Sequence, residues 1–295
     1  MRDPVGVVPL REGRAKADEG TVAATEANVT LDELDSSTPE STEQWNRIAR
    51  DSSIHTVILF ALFTPPAGDV LKLAGTGTLI AYKDAHYILT ASHVWHHVLK
   101  RADKLGITLR ENDDHTCLLE TRTIVASGPP MPAPWNEWGP DIIFLRIPAA
   151  RVGEIKAFRV FYSLPPEEKS AFRGEHTAAR LLVGTPEALG RYTQNHASVQ
   201  MMHFWVAPPT CHARNGFDYL DVAARLPPPS DVESFGGISG GGLWQVKIYS
   251  DPATEKIDSE AILEGVAFWA QDVSVGSGVV RCHGSESIRS ALKAL

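Results

Sequence analysis

The feature that most constrains this chain is a succession of short apolar runs punctuated by glycine and proline. From residue 54 they read "IHTVILFALF", "TGTLIAY", "HYILTAS", "LGITLR", "CLLETRTIV", "DIIFLRI" and "FRVFYS". Short runs bounded by turn formers predict strands of an all-β sandwich or barrel rather than alternating βαβ units. A polar break, "SLPPEEKSAFRGEHT" at 163–177, interrupts the series. A second set follows: "ARLLVG", "SVQMMHFWV", "FDYLDVAA", "GLWQVKIY", "AILEGVAFWA" and "SGVVRC". The simplest parse is two β-rich halves of similar length divided at the break.

The flanks differ. Residues 1–37 hold no aromatic residue and no sustained period of 2 or 3.6, the composition of a flexible extension. In "STEQWNRIARDS", Ser41 with Gln44 three residues on is a capping-box pattern, which predicts a short helix carrying Trp45 and Ile48. The extension therefore runs over 1–53. At the other end "SESIRSALKAL" sets Ile288, Ala291, Leu292 and Leu295 at helical spacing behind Ser285 as N-cap, predicting a closing helix over about 285–295. Proline clusters at 129–134 and 227–229 predict stiffened loops.

A chain of 295 residues that is 43% hydrophobic has the material for ordinary cores. Its formal charge of −8 removes the electrostatic footprint of a nucleic-acid binder, so nucleic acid is not an expected partner. The longest apolar run, "VILFALF" at 57–63, is far short of the roughly 20 residues that cross a bilayer, and no membrane span is expected. The first residues lack the apolar core of a secretory signal, which points to a cytoplasmic location. Three scattered cysteines, Cys117, Cys211 and Cys282, make neither a disulfide scaffold nor a CxxC metal site and read as reduced thiols, although one bridged pair stays open for an exported protein.

Three segments carry the residue types of nucleophilic catalysis. A serine hydroxyl is a weak nucleophile until a base takes its proton, and the base needs a third group to hold its tautomer. His93 ends "GTGTLIAYKDAHYILTASH", Asp141 opens the apolar strand of "GPDIIFLRI", and Ser239 sits among glycines in "FGGISGGGLW". Singly these read as a helix-start histidine, a turn aspartate and a tight turn. Their order and contexts make the combination far more specific than its parts.

That combination resembles the chymotrypsin-like serine proteases, in a bacterial trypsin-like form. Their "TAAHC", "DIALL" and "GDSGGP" segments correspond here to "TASHV", "DIIFL" and "GISGGG". His93 and Asp141 lie 48 residues apart, Asp141 and Ser239 98 apart. "LEGVAFWA" is similar to the family's "GIVSWG" strand, and "VGTP" at 183–186 to an early second-barrel strand and turn. The resemblance covers roughly 54–295. It implies two six-stranded antiparallel Greek-key β-barrels, the first about 54–165 and the second about 176–283, followed by the C-terminal helix. It also implies a serine endopeptidase acting on a polypeptide through an acyl-enzyme, with no metal or organic cofactor. Ser239 would be the nucleophile, His93 the base and Asp141 the orienting acid. The backbone N–H groups of Gly237 and Ser239 would form the oxyanion hole, and Phe268, Trp269 and Ala270 would pair with substrate backbone. Glu233 falls where the family keeps the floor of its primary specificity pocket, although a solvated acidic loop is the plainer reading of that segment.

Two departures stand out. Ile238 replaces an aspartate that pairs with a newly cut amino terminus in the digestive enzymes, so control would need another route, such as a regulatory protein partner. Phe268 replaces a serine that supports the acid, so Asp141 must find hydrogen bonds elsewhere. Three alternatives remain. "GISGG" also fits the G-x-S-x-G elbow of α/β-hydrolases, with Asp258 or Asp272 and then His283 as partners. His93, His96 and His97 could ligate a metal, but Val94 stands where an H-E-x-x-H zinc site needs glutamate. Finally, the chain could be a catalytically silent binding module on the protease fold.

Overall fold

The computed structural model describes residues 26–28, 39–64, 70–110, 115–164, 176–187, 191–192, 197–225, 234–250, 257–271 and 277–295. In chain order the elements begin with β1 (Glu26–Asn28), α1 (Pro39–Ser53), β2 (Thr56–Phe63), β3 (Val70–Tyr82) and β4 (Ala85–Thr90). Next come β5 (Lys104–Thr108), β6 (Thr116–Glu120), β7 (Val125–Ser127), β8 (Ile143–Arg146), α2 (Ala149–Lys156) and β9 (Tyr162–Ser163). The second half holds β10 (His176–Gly184), β11 (Arg191–Tyr192), β12 (Ala197–Ser198), β13 (Met202–Val206), β14 (Thr210–Arg214) and β15 (Phe217–Arg225). It closes with β16 (Gly242–Ser250), β17 (Ile257–Ala270), β18 (Ser277–Gly284) and α3 (Ser285–Lys293).

The chain is mostly β, with two largely antiparallel sheets, one curled into a half-barrel, and a C-terminal helix. The first sheet runs β6-β5-β2-β3-β4-β8-β7, with β9 added parallel to β3. The second runs β1-β10-β16-β17-β18-β15-β14, with β13 also on β10. Among the described residues each sheet thus has eight strands against the six expected, and several of the added ones are two- or three-residue segments on edges. The strands of the first sheet end at Ser163, where the polar break begins, and all but β1 of the second start at or after His176, where it ends.

Strand periodicity explains why the apolar runs are nearly unbroken. Side chains alternate between faces, and in β2 Val57, Leu59 and Ala61 enter one core while Ile58 and Phe60 enter another. β8 does the same, with Ile143 and Leu145 on one side and Phe144 on the other. The second of these cores lies between the sheets: it joins Ile58, Ile80 and Leu89 to Leu181, Trp244 and Val266. A third core belongs to the second sheet, with Leu182, Phe204, Val280 and Ile238. Each fully buried Leu or Ile contributes on the order of 2 kcal/mol, and the buried polar residues of the central strands include threonines such as Thr76 and Thr78, whose hydroxyls find hydrogen-bond partners.

The flanks correct the sequence reading at both helix starts and add one strand. Within the segment expected to be a flexible extension, most of which lies outside the described residues, Glu26–Asn28 pairs in parallel with His176–Ala178. α1 starts at Pro39, so Ser41 lies within the helix rather than capping it; Ile48 is buried and Trp45 meets Trp205 edge-on at 5.0 Å. The residue before α3 is Gly284, not Ser285. The cap comes from β15: Asp218 accepts the Ser287 N–H at 2.6 Å, the Glu286 N–H at 3.3 Å and the Ser287 hydroxyl. A carboxylate there satisfies orphan N–H groups and complements the helix dipole. No helix among the described residues is long and apolar enough to cross a membrane.

Candidate active site

Sheet pairing brings His93 and Asp141 together. Thr90 on β4 faces Ile143 on β8; two further residues along that register, position 141 stands opposite 92, beside His93. His93 follows β4 in a helical turn whose next residues, Val94 and Trp95, are buried and anchor it. Asp141 is fully buried, and an ionised carboxylate accepts hydrogen bonds only. His93 Nδ1–H therefore donates to Asp141 Oδ2 at 2.6 Å, and the His93 backbone N–H donates to Oδ1 at 2.9 Å. This tautomer leaves His93 Nε2 as the unprotonated nitrogen.

A third donor, Trp135 Nε1–H, reaches Asp141 Oδ2 at 2.9 Å. Burial is the largest influence on the Asp141 carboxyl and opposes its ionisation. The hydrogen bond and charge of His93, its backbone N–H and the indole N–H together outweigh burial and hold the carboxyl below its ordinary range. The missing support at Phe268 is thus found in Trp135, which the sequence reading did not single out. The signal was available: a tryptophan N–H can only donate, and Trp135 stands six residues before the acid.

Asp141 has a second unforeseen partner. Its backbone N–H donates to His283 Nε2 at 3.0 Å, so the proton of the neutral imidazole resides on Nδ1. His283 is fully buried and stacks on Phe268, centroids 4.4 Å apart; its Nδ1 has no partner among the described residues. Burial pushes its pKa down to about 4, against an opposing pull from Asp141 and Asp218.

Ser239 stands on the loop entering β16. Because a strand follows it rather than a helix, the α/β-hydrolase elbow is not formed, and His283 serves Asp141 instead of closing a triad behind the serine. Gly237 and Gly240 have φ of +90° and +95°. A Cβ on Gly237 would lie 2.6 Å from the Thr185 carbonyl oxygen, and one on Gly240 would overlap the Thr76 carbonyl oxygen, so both demand glycine.

The neighbouring peptides are oriented by their carbonyls. Gly236 O accepts from Glu187 N at 2.6 Å and Ile238 O from Gly241 N at 2.8 Å. In a planar trans peptide the N–H points opposite to the C=O, which turns the Gly237 and Ser239 N–H groups away from those donors. Neither has a backbone acceptor among the described residues. The first sheet holds the loop as well: Thr76 N donates to Ser239 O at 2.9 Å, Thr76 Oγ1 to Gly237 O at 2.9 Å, and Thr78 Oγ1 to Gly240 O at 3.1 Å. Ile238 is buried in the second-sheet core, so apolar packing anchors the loop beside Ser239.

His93, Ser239, Phe268, Trp269 and Ala270 line one cleft of about 380 Å³, rimmed by Trp135, His97 and the segment 234–236. No hydrogen bond joins Ser239 to His93 among the described residues. β17 outruns β16, whose pairing ends at Val266, while β18 follows β17 to Ala270. Among the described residues, no strand pairs with the other edge of 268–270. Glu233 lies outside the described residues. His96 and His97 sit on the π turn Val94–Val98; burial is the main influence lowering the His96 pKa. Among the described residues no three His, Cys, Asp or Glu side chains cluster closely enough to hold a metal ion. All three cysteines are free thiols. Compared with known proteins, the chain matches no family model and no curated protein.

Proposed function

We propose that this chain is a serine endopeptidase whose two sheets are the Greek-key barrels of the chymotrypsin-like architecture, with short edge strands added. One observation carries the reading: His93 Nδ1 is bonded to the buried carboxylate of Asp141 while His93 and Ser239 face the same cleft. A base fixed in this tautomer beside a serine on a glycine-bracketed loop suits acyl transfer.

An extended polypeptide adds as a strand to the edge of Phe268–Ala270 beyond β16. Ser239 Oγ attacks the scissile carbonyl carbon and its proton passes to His93 Nε2, while Asp141 stabilises the imidazolium. The Gly237 and Ser239 N–H groups donate to the developing oxyanion; one such donor is worth about 3 kcal/mol. The amine leaves with the proton from His93 Nε2, and water, deprotonated by the same nitrogen, hydrolyses the acyl-enzyme. No step calls for a metal or organic cofactor. Packing of Ile238 supports a nucleophile loop held without an amino-terminal ion pair. Three free thiols support a reducing, cytoplasmic setting.

A fluorophosphonate probe tests the assignment. Wild type is expected to label and Ser239→Ala is not; equal labelling of the two would overturn the reading. The missing Ser239–His93 hydrogen bond favours one second reading, an enzyme gated by a regulatory protein partner, although such contacts often close only with substrate. Absence of labelling in wild type would favour that gate or a silent binding module.

A further inference from the structure

A wholly buried carboxylate must have its lone pairs met by donors. Of the donors to Asp141 among the described residues, two come from His93, the residue that Asp141 is to orient. The third, Trp135 Nε1–H, is the carboxylate's anchor independent of His93. Without it the histidine and the carboxylate could swing together.

The loop that carries the indole is held from the other sheet. Arg281, on β18, donates from Nη1 to the Glu137 carbonyl at 3.1 Å, and its guanidinium lies 3.7 Å from the centre of the Trp138 ring. Arg281 is in turn fixed by two hydrogen bonds to Asp221, at 2.7 and 2.8 Å. The loop carrying Trp135 is thereby pinned to the second sheet while its tip reaches the acid of the first.

We propose that Trp135 is a positioning residue that locks the Asp141 carboxylate through its indole N–H, with Arg281 and Asp221 holding the loop that aims it. This rests on the protease reading for its kinetic consequence but not for its structural one. The indole also lines the cleft, so shape and hydrogen bond have to be separated. Replacing Trp135 by 3-benzothienylalanine keeps the ring outline and exchanges N–H for sulfur; Trp135→Phe provides a second variant.

In the full-length chain both substitutions are expected to slow fluorophosphonate labelling about tenfold, the order of one hydrogen bond to a charged group. They are also expected to broaden the low-field Nδ1–H proton resonance of His93 through faster exchange with water. A resonance as sharp as in wild type overturns the proposal, whatever the labelling rate. If wild type itself fails to label, the ungated protease reading gives way to the gated enzyme or the silent module, and the resonance still decides the role of Trp135.

Discussion

The two halves of the proposed catalytic site, named for their proposed roles, are built on different principles. The acid–base half is held by side chains: His93, Trp135 and His283 all bond to Asp141, from positions up to 142 residues away. The nucleophile half is held by backbone: two glycines at positive φ, carbonyls engaged by Glu187 and Gly241, and threonines reaching across from β3. The first is therefore sensitive to charge and tautomer, the second to the addition of atoms. A reaction that needs both a proton relay and a rigid pair of N–H groups draws on each in turn.

The comparison breaks most sharply at Asp141. Asp141→Asn presents an amide N–H to His93 Nδ1 and so favours the wrong tautomer; labelling is expected to slow by about 10⁴-fold. A comparable rate in the variant would show that the acid–base half is not the proton relay. Gly237→Ala attacks the other half by volume alone. Its Cβ, 2.6 Å from the Thr185 carbonyl, displaces the loop, and a loss of about 10²–10³-fold in labelling is expected with His93 and Asp141 untouched.

Acid separates the halves without mutation. His283 titrates near 4 in the folded protein and near 6.5 when unfolded. Between those values the unfolded chain binds the proton and the folded chain does not. The stability is thus complete above about 6.5 and falls as the pH drops toward 4, by about 3 kcal/mol for this group. His203, whose pKa burial also lowers to about 4, adds a fall of the same sign; urea unfolding at pH 7 and pH 4.5 in a His203→Gln background isolates that of His283, and a flat profile there would remove neutral His283 from the account. The loop 236–241 contains no titratable side chain and contributes nothing to that slope.

The smallest effect is expected at Thr76→Val. It deletes a buried hydroxyl that donates to the Gly237 carbonyl and accepts the Thr185 N–H at 3.1 Å. A cost of about 1–3 kcal/mol follows from the unmet partners, read as a lower thermal midpoint with a modest loss of labelling. An unchanged midpoint would mean that the glycines alone shape the loop.

The two sheets were legible because short apolar runs bounded by turn formers lie on both sides of the polar break at 163–177. His93 and Asp141 were singled out together by the resemblance of "TASHV" and "DIIFL", whereas the β4–β8 pairing that joins them is specified by neither strand alone. Trp135 stands six residues before the acid, but in a proline-rich loop no periodicity reports which way a side chain turns. His283 was hidden by distance: its bond to the Asp141 backbone joins the two sheets, and local spacing carries no trace of it. The cap of α3 was misassigned to Ser285 for the same reason, since Asp218 comes from another strand. Thr76 read as an ordinary strand residue, and only the fold reveals that its hydroxyl faces the nucleophile loop.

The overhang of β17 beyond β16 has a further consequence. Open sheet edges invite other sheets, and proteins blunt them to avoid self-association. Here the stretch left unpaired on that side among the described residues is three residues, roughly 10 Å at strand rise, and it lines the same cleft as Trp135 and the 234–236 segment. On the proposed protease reading, so short an edge in a recess favours a lone extended segment over the edge of a folded sheet. It would select for chain that has lost, or never had, structure of its own.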